Sequence, residues 1–325
     1  MIVAVKVIEV KELTKKFDKF TAVNKISFGV EKGEILGLLG PNGAGKTTTL
    51  SMLATLVKPT SGIAKVNGFD VYNHPSLVRK SIGFVFQDPS SDDTLTGREN
   101  LYLHGLMYGV DGINKKIDMV LKLVDLVDKK DILVKNYSGG MRRRLELARG
   151  LLHEPKILFL DEPTLGLDPQ TRINLWNYIK KLSSEGSVSV IITTHYMDEA
   201  EELCDRIAII DHGKIVAMDS PSDLKNKIGG DIVRLKIKNP KIGEIKKLKY
   251  VKKIKKEGEF TVLTVVNSGL HLQEILKKVG KVEEVELRHP TLNDVFLHYT
   301  GRNIREAEGE GGWAERAMSY QGRST

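Results

Sequence analysis

The sequence predicts an α/β fold: a core built on a phosphate-binding loop, with an antiparallel β subdomain and a helical subdomain, followed by a small C-terminal α+β domain. Three observations carry that reading. The apolar run Ile35-Leu36-Gly37-Leu38-Leu39 leads straight into Gly40-Pro41-Asn42-Gly43-Ala44-Gly45-Lys46-Thr47, which fits G-x-x-x-x-G-K-[ST] at every specified position. Two further apolar runs, Ile157–Leu160 and Val188–Thr194, suit buried strands and end on polar groups, Asp161-Glu162 and His195. Between the loop and those runs, Thr96–Lys130 repeats its apolar residues every three or four places without strand signals, as a helical insert does.

Length and composition set the frame. The 325 residues suffice for about two domains with a large buried core, and 41% hydrophobic with 28% charged residues is the make-up of a soluble globular protein. No apolar run approaches the ~18–20 residues that span a bilayer, and the first residues hold no signal-peptide core of adequate length. Any service to a membrane is therefore expected from outside the lipid. Cys204 is the only cysteine, which excludes an intrachain disulfide and fits a reducing cytosol; beside the helical stretch Met197–Leu203 it reads as a packing residue. The net charge of +8 is unevenly placed, with twelve lysines and Arg234 between Lys225 and Lys256. Such a stretch is a surface for nucleic acid, anionic headgroups or an acidic partner, and equally the look of an ordinary solvated face.

In chain order, Val3–Lys11 and Ala22–Val30 alternate as antiparallel strands do, and Phe17 between them is either a ring for a nucleobase or a core aromatic. The loop glycines let successive N–H groups face phosphate oxygens. Lys46 brings charge to the β- and γ-phosphates, Thr47 a hydroxyl to Mg²⁺, and a helix from about Thr48 to Pro59 turns its positive end to the same anion. Ile63–Val66 reads as a strand and Pro75–Arg79 as a short helix. The strand Ile82–Phe86 then delivers Gln87 to a polar loop, Asp88–Asp93, suited to a residue that enters and leaves a site.

Tyr137-Ser138-Gly139-Gly140-Met141 heads an amphipathic helix, Arg142–Leu152. Serine with paired glycines at a helix start is a second anion site or a plain cap. Asp161, at a strand end beside the P-loop, belongs in a Mg²⁺ shell, and the adjacent Glu162 can polarise a water toward the γ-phosphate. Pro163–Pro169 is a turn-rich loop carrying Asp168, and His195 ends the next strand at the same sheet edge. After Ser220 the chain turns to Lys-rich alternation. Val233–Ile237, Phe260–Val266 and Val282–Leu287 read as strands, Leu270–Val279 and Leu292–Leu297 as helices, with no catalytic constellation. The domains expected are 1–225, including a helical subdomain at about 94–155, and 230–303, with a mobile tail over 304–325.

With these residues in view, the sequence closely resembles the nucleotide-binding subunit of ABC transporters from about Val7 to Asp223, which makes the expected core one of ABC ATPase type. The resemblance implies ATP as the nucleotide, Phe17 as the adenine-stacking aromatic, and Asn42, Gly43, Ala44, Gly45, Lys46, Thr47 and Thr48 as Walker A contacts. It implies Thr47, Gln87 and Asp161 as the Mg²⁺ set, Asp161 directly or through water, with Gln87 also sensing a membrane subunit. Glu162 would be the catalytic base and His195 the switch histidine. Ser138, Gly139 and Gly140 would be the signature and Asp168 the D-loop acid, acting in trans within a homodimer or heterodimer formed on ATP. The dimer would sit on the cytoplasmic face of the membrane through a separate permease. Tyr137 and Met141 depart from the usual Leu and Gln of the signature. The Tyr-Ser-Gly-Gly-Met-Arg-Arg form, with Pro290–Leu297 and Thr300-Gly301-Arg302, is similar to the subfamily that pairs with ABC-2 type membrane subunits and includes daunorubicin-resistance ATP-binding proteins. That implies export of a drug, lipid or polysaccharide-like cargo. Relatives that act on nucleic acid carry two nucleotide domains or a long coiled-coil insertion; this chain has neither, which counts against a nucleic-acid partner.

Overall fold

The structure is a computed structural model that describes residues 5–184, 188–237 and 242–301. The tail expected at 304–325 and Arg302 lie outside them, as do Val3, Lys238 and Lys241. The N-terminal part holds β1 (Lys6–Phe17), β2 (Phe20–Glu31), β3 (Ile35–Leu39), α1 (Lys46–Leu53), β4 (Ser61–Val66), β5 (Phe69–Asp70), α2 (Pro75–Ser81) and β6 (Ile82–Val85). Next come α3 (Gly97–Tyr108), α4 (Ile113–Leu123), α5 (Gly139–Leu151), β7 (Ile157–Asp161), α6 (Pro169–Ser184), β8 (Ser189–Thr194), α7 (Met197–Leu203), β9 (Arg206–Asp211) and β10 (Lys214–Asp219). The remainder is α8 (Pro221–Asn226), β11 (Asp231–Ile237), α9 (Ile242–Lys246), β12 (Val251–Glu257), β13 (Phe260–Val265), α10 (Ser268–Val279), β14 (Val282–Arg288) and α11 (Leu292–Thr300).

The unbroken apolar runs β3, β7 and β8 are buried at every residue because they form the interior of a six-stranded sheet, ordered β10-β9-β3-β8-β7-β6. From β9 to β6 its pairs are parallel, and the register aligns their ends: Leu39 lies opposite Thr194, and Asp161 opposite Thr193. Residues 40, 162 and 195 therefore leave the sheet on neighbouring strands at one edge. A second, antiparallel sheet runs β2-β1-β4-β5. Its inward residues Ile8, Val10, Ile26 and Phe28 share one core with Leu36, Leu38, Leu50 and Met52. That core anchors α1 and fixes where its N-terminus points.

Several boundaries differ from the sequence reading. α1 stops at Leu53 rather than near Pro59, because Thr55 takes the left-handed conformation (φ +64°) and the N–H groups of Leu56 and Val57 turn back to the Ser51 carbonyl. α5 starts at Gly139, so both glycines lie inside its first turn. β9 and β10 had no sequence assignment; a tight turn with His212 and Gly213 both at positive φ joins them.

The helical insert forms as the periodicity predicts. Thr96 and Glu99 close a reciprocal capping box at the start of α3, with Glu99 N–H donating to Thr96 Oγ1 at 3.2 Å and Thr96 N–H to Glu99 Oε2 at 2.7 Å. Near the other end of α3, His104 packs beside Tyr108, which stacks on His153 with 4.2 Å between ring centroids. Burial, then the nearby Arg149 and His153, press the His104 pKa down to about 4, with Glu146 opposing. The folded state thus refuses a proton that the unfolded chain accepts below pH 6.5, and stability falls as pH drops from 6.5 toward 4. Thermal unfolding across that window is expected to show an acid loss of up to about 3 kcal/mol, flattened in His104→Leu.

Chain contacts divide the protein into two compact units between Met218 and Asp219, a few residues before the change of composition suggests. In the second unit the sheet order is β12-β13-β11-β14, and Ile245, Leu248, Ile275 and Val279 of the α9–α10 side cover Val233, Leu235, Leu263 and Val265. β12 accounts for part of the lysine run. It is an edge strand in which Lys252, Lys253, Lys255 and Lys256 are exposed, and lysines there keep a free edge from pairing with other strands. Among the described residues no helix is long and apolar enough to cross a membrane.

Candidate active site

Where β3 runs out, the chain must return into α1 through a loop with no room for side chains at two points. A Cβ on Gly40 would run into the Ile210 carbonyl oxygen, and one on Gly45, at φ +103°, into that of Ala22. No side chain caps α1, and helix geometry gives the N–H groups of Thr47 and Thr48 no carbonyl within the helix, which turns this helix end toward an anion. Asn42 and Thr47 are exposed at the rim, whereas Ala44 is buried. Lys46 folds over the loop. Its Nζ donates to the Gly40 and Pro41 carbonyls at 2.7 and 3.1 Å and lies 3.4 Å from Glu162 Oε1.

The ends of β7 and β8 complete the cluster. Asp161 Oδ1 accepts from Thr47 Oγ1 at 3.0 Å and from Thr193 Oγ1 at 2.5 Å. Burial raises the Asp161 pKa against the pull of those hydroxyls. Glu162 sits at φ +45°, a region non-glycine residues avoid, and is held there by its N–H, shared between Thr193 Oγ1 at 3.0 Å and Thr193 O at 3.2 Å. Its Oε2 lies 3.2 Å from His195 Nδ1, close enough for charge interaction but out of line for a hydrogen bond. Burial pushes the Glu162 pKa up, His195 and Lys46 together outweigh it, and the net shift is below 4.5. The carboxylate is thus ionised at neutral pH, as a general base must be.

The other expected site residues fall in three places. Gln87 follows β6, the strand beside β7, so it stands at the same sheet edge; its carbonyl accepts from Arg143 at 3.3 Å. Phe17 ends β1 as a residue 43% exposed, with the Lys15 ammonium 4.7 Å from the ring centre, so the core reading does not hold. Ser138 is the N-cap of α5, accepting from Met141 N–H at 3.3 Å. Asp168 accepts from Thr171 N–H at 3.0 Å at the start of α6. Ser138, Gly140, Leu167 and Thr171 meet around a cavity of about 380 Å³ that no P-loop residue lines. Within one protomer the residues therefore form two clusters: Lys46, Thr47, Asp161, Glu162 and His195 in one, and Ser138–Gly140 with the Asp168 turn in the other.

Among the described residues no three His, Cys, Asp or Glu side chains could hold a metal by themselves. The hard oxygens of Thr47 and Asp161, with the Gln87 amide on the next strand end, fit Mg²⁺, which keeps waters and phosphate oxygens for its remaining positions.

Residues 23–165 match the ABC transporter family, and residues 220–300 match the C-terminal domain of DrrA1-3-like ATP-binding proteins. Over 306 residues the chain is 38% identical to the daunorubicin/doxorubicin resistance ATP-binding protein DrrA of Streptomyces peucetius, covering 90% of this chain and 92% of that one. The chain belongs to the ABC transporter family, as an ATP-binding subunit. A linearmycin resistance ATP-binding protein, LnrL, of Bacillus subtilis is 35% identical, covering 92% of this chain and all (100%) of that one. The structure of an ATP binding subunit of an ABC transporter superposes with a TM-score of 0.63 at 27% identity, over 69% of this chain and 93% of that one. A cassette solved as a dimer in a post-hydrolysis state with ADP and Pi gives 0.60 at 28%, over 66% and 98%. This ATP-binding subunit is an ABC ATPase in fold and in chemistry.

The ABC subunit also uses residues that the sequence reading passed over. Thr193 pins β8 to β7. Glu199, fully buried on α7, accepts from Thr164 Oγ1 at 2.8 Å and Trp176 Nε1 at 3.1 Å, and burial raises its pKa. Arg143 alone of three consecutive arginines is buried. The unusual Tyr137 has a packing role: its hydroxyl donates to the Lys129 carbonyl at 2.8 Å, and its ring end occupies the space a side chain at Gly97 would need.

Proposed function

We propose that this subunit hydrolyses ATP at sites shared between two copies and that the cycle powers a separate membrane subunit for export. The observation that carries the reading is the division of the phosphate-facing residues into two clusters, one around Lys46 and one around Ser138, in a chain 38% identical to a drug-resistance ATP-binding protein. Asn42–Thr48 grip the triphosphate of ATP, and Phe17 stacks on the adenine. Ser138, Gly139, Gly140 and Asp168 of a second copy close over the γ-phosphate, so that the anion is buried between two positive helix ends. Mg²⁺, held by Thr47, Gln87 and Asp161, the last directly or through water, would neutralise charge on the β- and γ-phosphates.

The chain's own groups do the rest. Glu162 takes the proton of the attacking water as its oxygen bonds to the γ-phosphorus and the bond to the β-phosphate oxygen breaks, giving ADP and phosphate. His195 and Lys46 hold that carboxylate in place. Loss of the γ-phosphate removes the bridge and the halves separate. The relatives' names, which record resistance to daunorubicin, doxorubicin and linearmycin, support a drug-like cargo; the location on the cytoplasmic face follows from the permease that the subunit would serve. The second unit, 219–304, serves as an accessory domain. Purified with its membrane subunit, the ATP-binding subunit is expected to hydrolyse ATP several-fold faster than alone and to move cargo into inverted vesicles. An ATPase indifferent to that partner, and stimulated in a salt-sensitive way by DNA or RNA instead, contradicts the reading.

A further inference from the structure

Arg143 is 5% exposed, in the first turns of α5, and among the described residues no carboxylate lies at ion-pair distance from it. A guanidinium taken out of water is tolerated only when its donors are satisfied, and four main-chain carbonyls do so here. Nε donates to Pro163 O at 2.6 Å and Nη2 to Asp161 O at 2.9 Å; Nη1 donates to Phe86 O at 2.5 Å and Gln87 O at 3.3 Å. These carbonyls belong to the start of the Gln87 loop, the strand end that carries Asp161 and Glu162, and the turn leading to Asp168. Further along the same side of α5, Glu146 accepts from Ser90 Oγ and Ser91 N–H, so the helix grips the Gln87 loop a second time.

Resting on the roles given above to Gln87 and Glu162, we propose that Arg143 is a positioning residue. It ties Gln87 and the Asp161–Glu162 turn to the signature helix, so that the base is in line only while α5 holds its place. Displacing α5 then moves both groups together, which couples the in-trans contact of Ser138 to the base of the same chain. Arg143 bonds to no P-loop residue, so the grip of Asn42–Thr48 on the triphosphate itself does not pass through it. Lysine cannot replace it, because one ammonium does not span four carbonyls as a planar fork does.

The test uses the full-length chain with Arg143→Lys and, because a misfit charge in that site could prevent folding, neutral Arg143→Gln. Both are expected to lower kcat by about tenfold or more while the affinity for ATP measured without Mg²⁺ stays within about twofold. Amide exchange at Phe86–Ser91 should quicken while that of the P-loop stays as it was. The proposal is overturned if either variant keeps its kcat. It is equally overturned if affinity falls in step with kcat, or if neither variant folds, since each marks a general support of the fold. Near-normal turnover in Glu162→Gln would remove the base assignment but leave the exchange result standing, so the two failures can be told apart.

Discussion

Replacing Glu162 with glutamine is expected to lower ATP turnover by roughly 10²–10⁴-fold, the usual worth of a positioned general base, while ATP still binds. The substitution keeps the side chain's shape, and glutamine tolerates the φ of +45° about as well as glutamate does. What it removes is the one carboxylate held ionised between Lys46 and His195. It also removes a negative charge beside the incoming γ-phosphate, so the ATP-bound pair should accumulate and elute as a dimer. Turnover within twofold of the parent would show that another group accepts the proton.

Gly139→Asp is expected to abolish hydrolysis to a similar extent by a different route. A Cβ at Gly139 meets nothing within 4 Å, so the protomer accommodates the new side chain without strain. An aspartate in the first turn of α5 also suits the helix dipole, and the melting temperature should hold or rise slightly. Yet the added charge stands where the resemblance puts another subunit's γ-phosphate. A stable protein that binds ATP at its own P-loop and does not turn it over is the expected result, read by equilibrium binding beside phosphate release. Normal turnover would mean that no phosphate meets this helix end.

Much of this was legible because the decisive chemistry is local. The P-loop, the carboxylates at the end of β7 and His195 after β8 each follow an apolar run whose burial on both faces is written in its composition, and the register then makes their ends coincide. What was hidden depends on packing. Arg142, Arg143 and Arg144 are one residue type in a row, and only the fold decides that the middle one turns inward. Thr193 and Glu199 look like ordinary strand and helix residues until the neighbouring element supplies their partners. β12 escaped because its apolar residues, Val251 and Ile254, are three apart and its lysines answer to a free edge instead of a core. The early end of α1 rests on one left-handed threonine that no turn residue announces.

Under the function proposed above, each hydrolytic site takes its P-loop from one chain and its signature from another. The decisive experiment mixes Lys46→Met with Gly139→Asp, each of which is expected to be inactive by itself. If sites are shared, every mixed pair contains one site with both an intact Lys46 and an intact Gly139. Phosphate release should then recover to roughly a quarter of the parent's, because random pairing makes half the dimers mixed and leaves each of those one whole site of two. A mixture as silent as its components, beside a parent whose specific activity does not change on dilution, would place the whole site within a single chain.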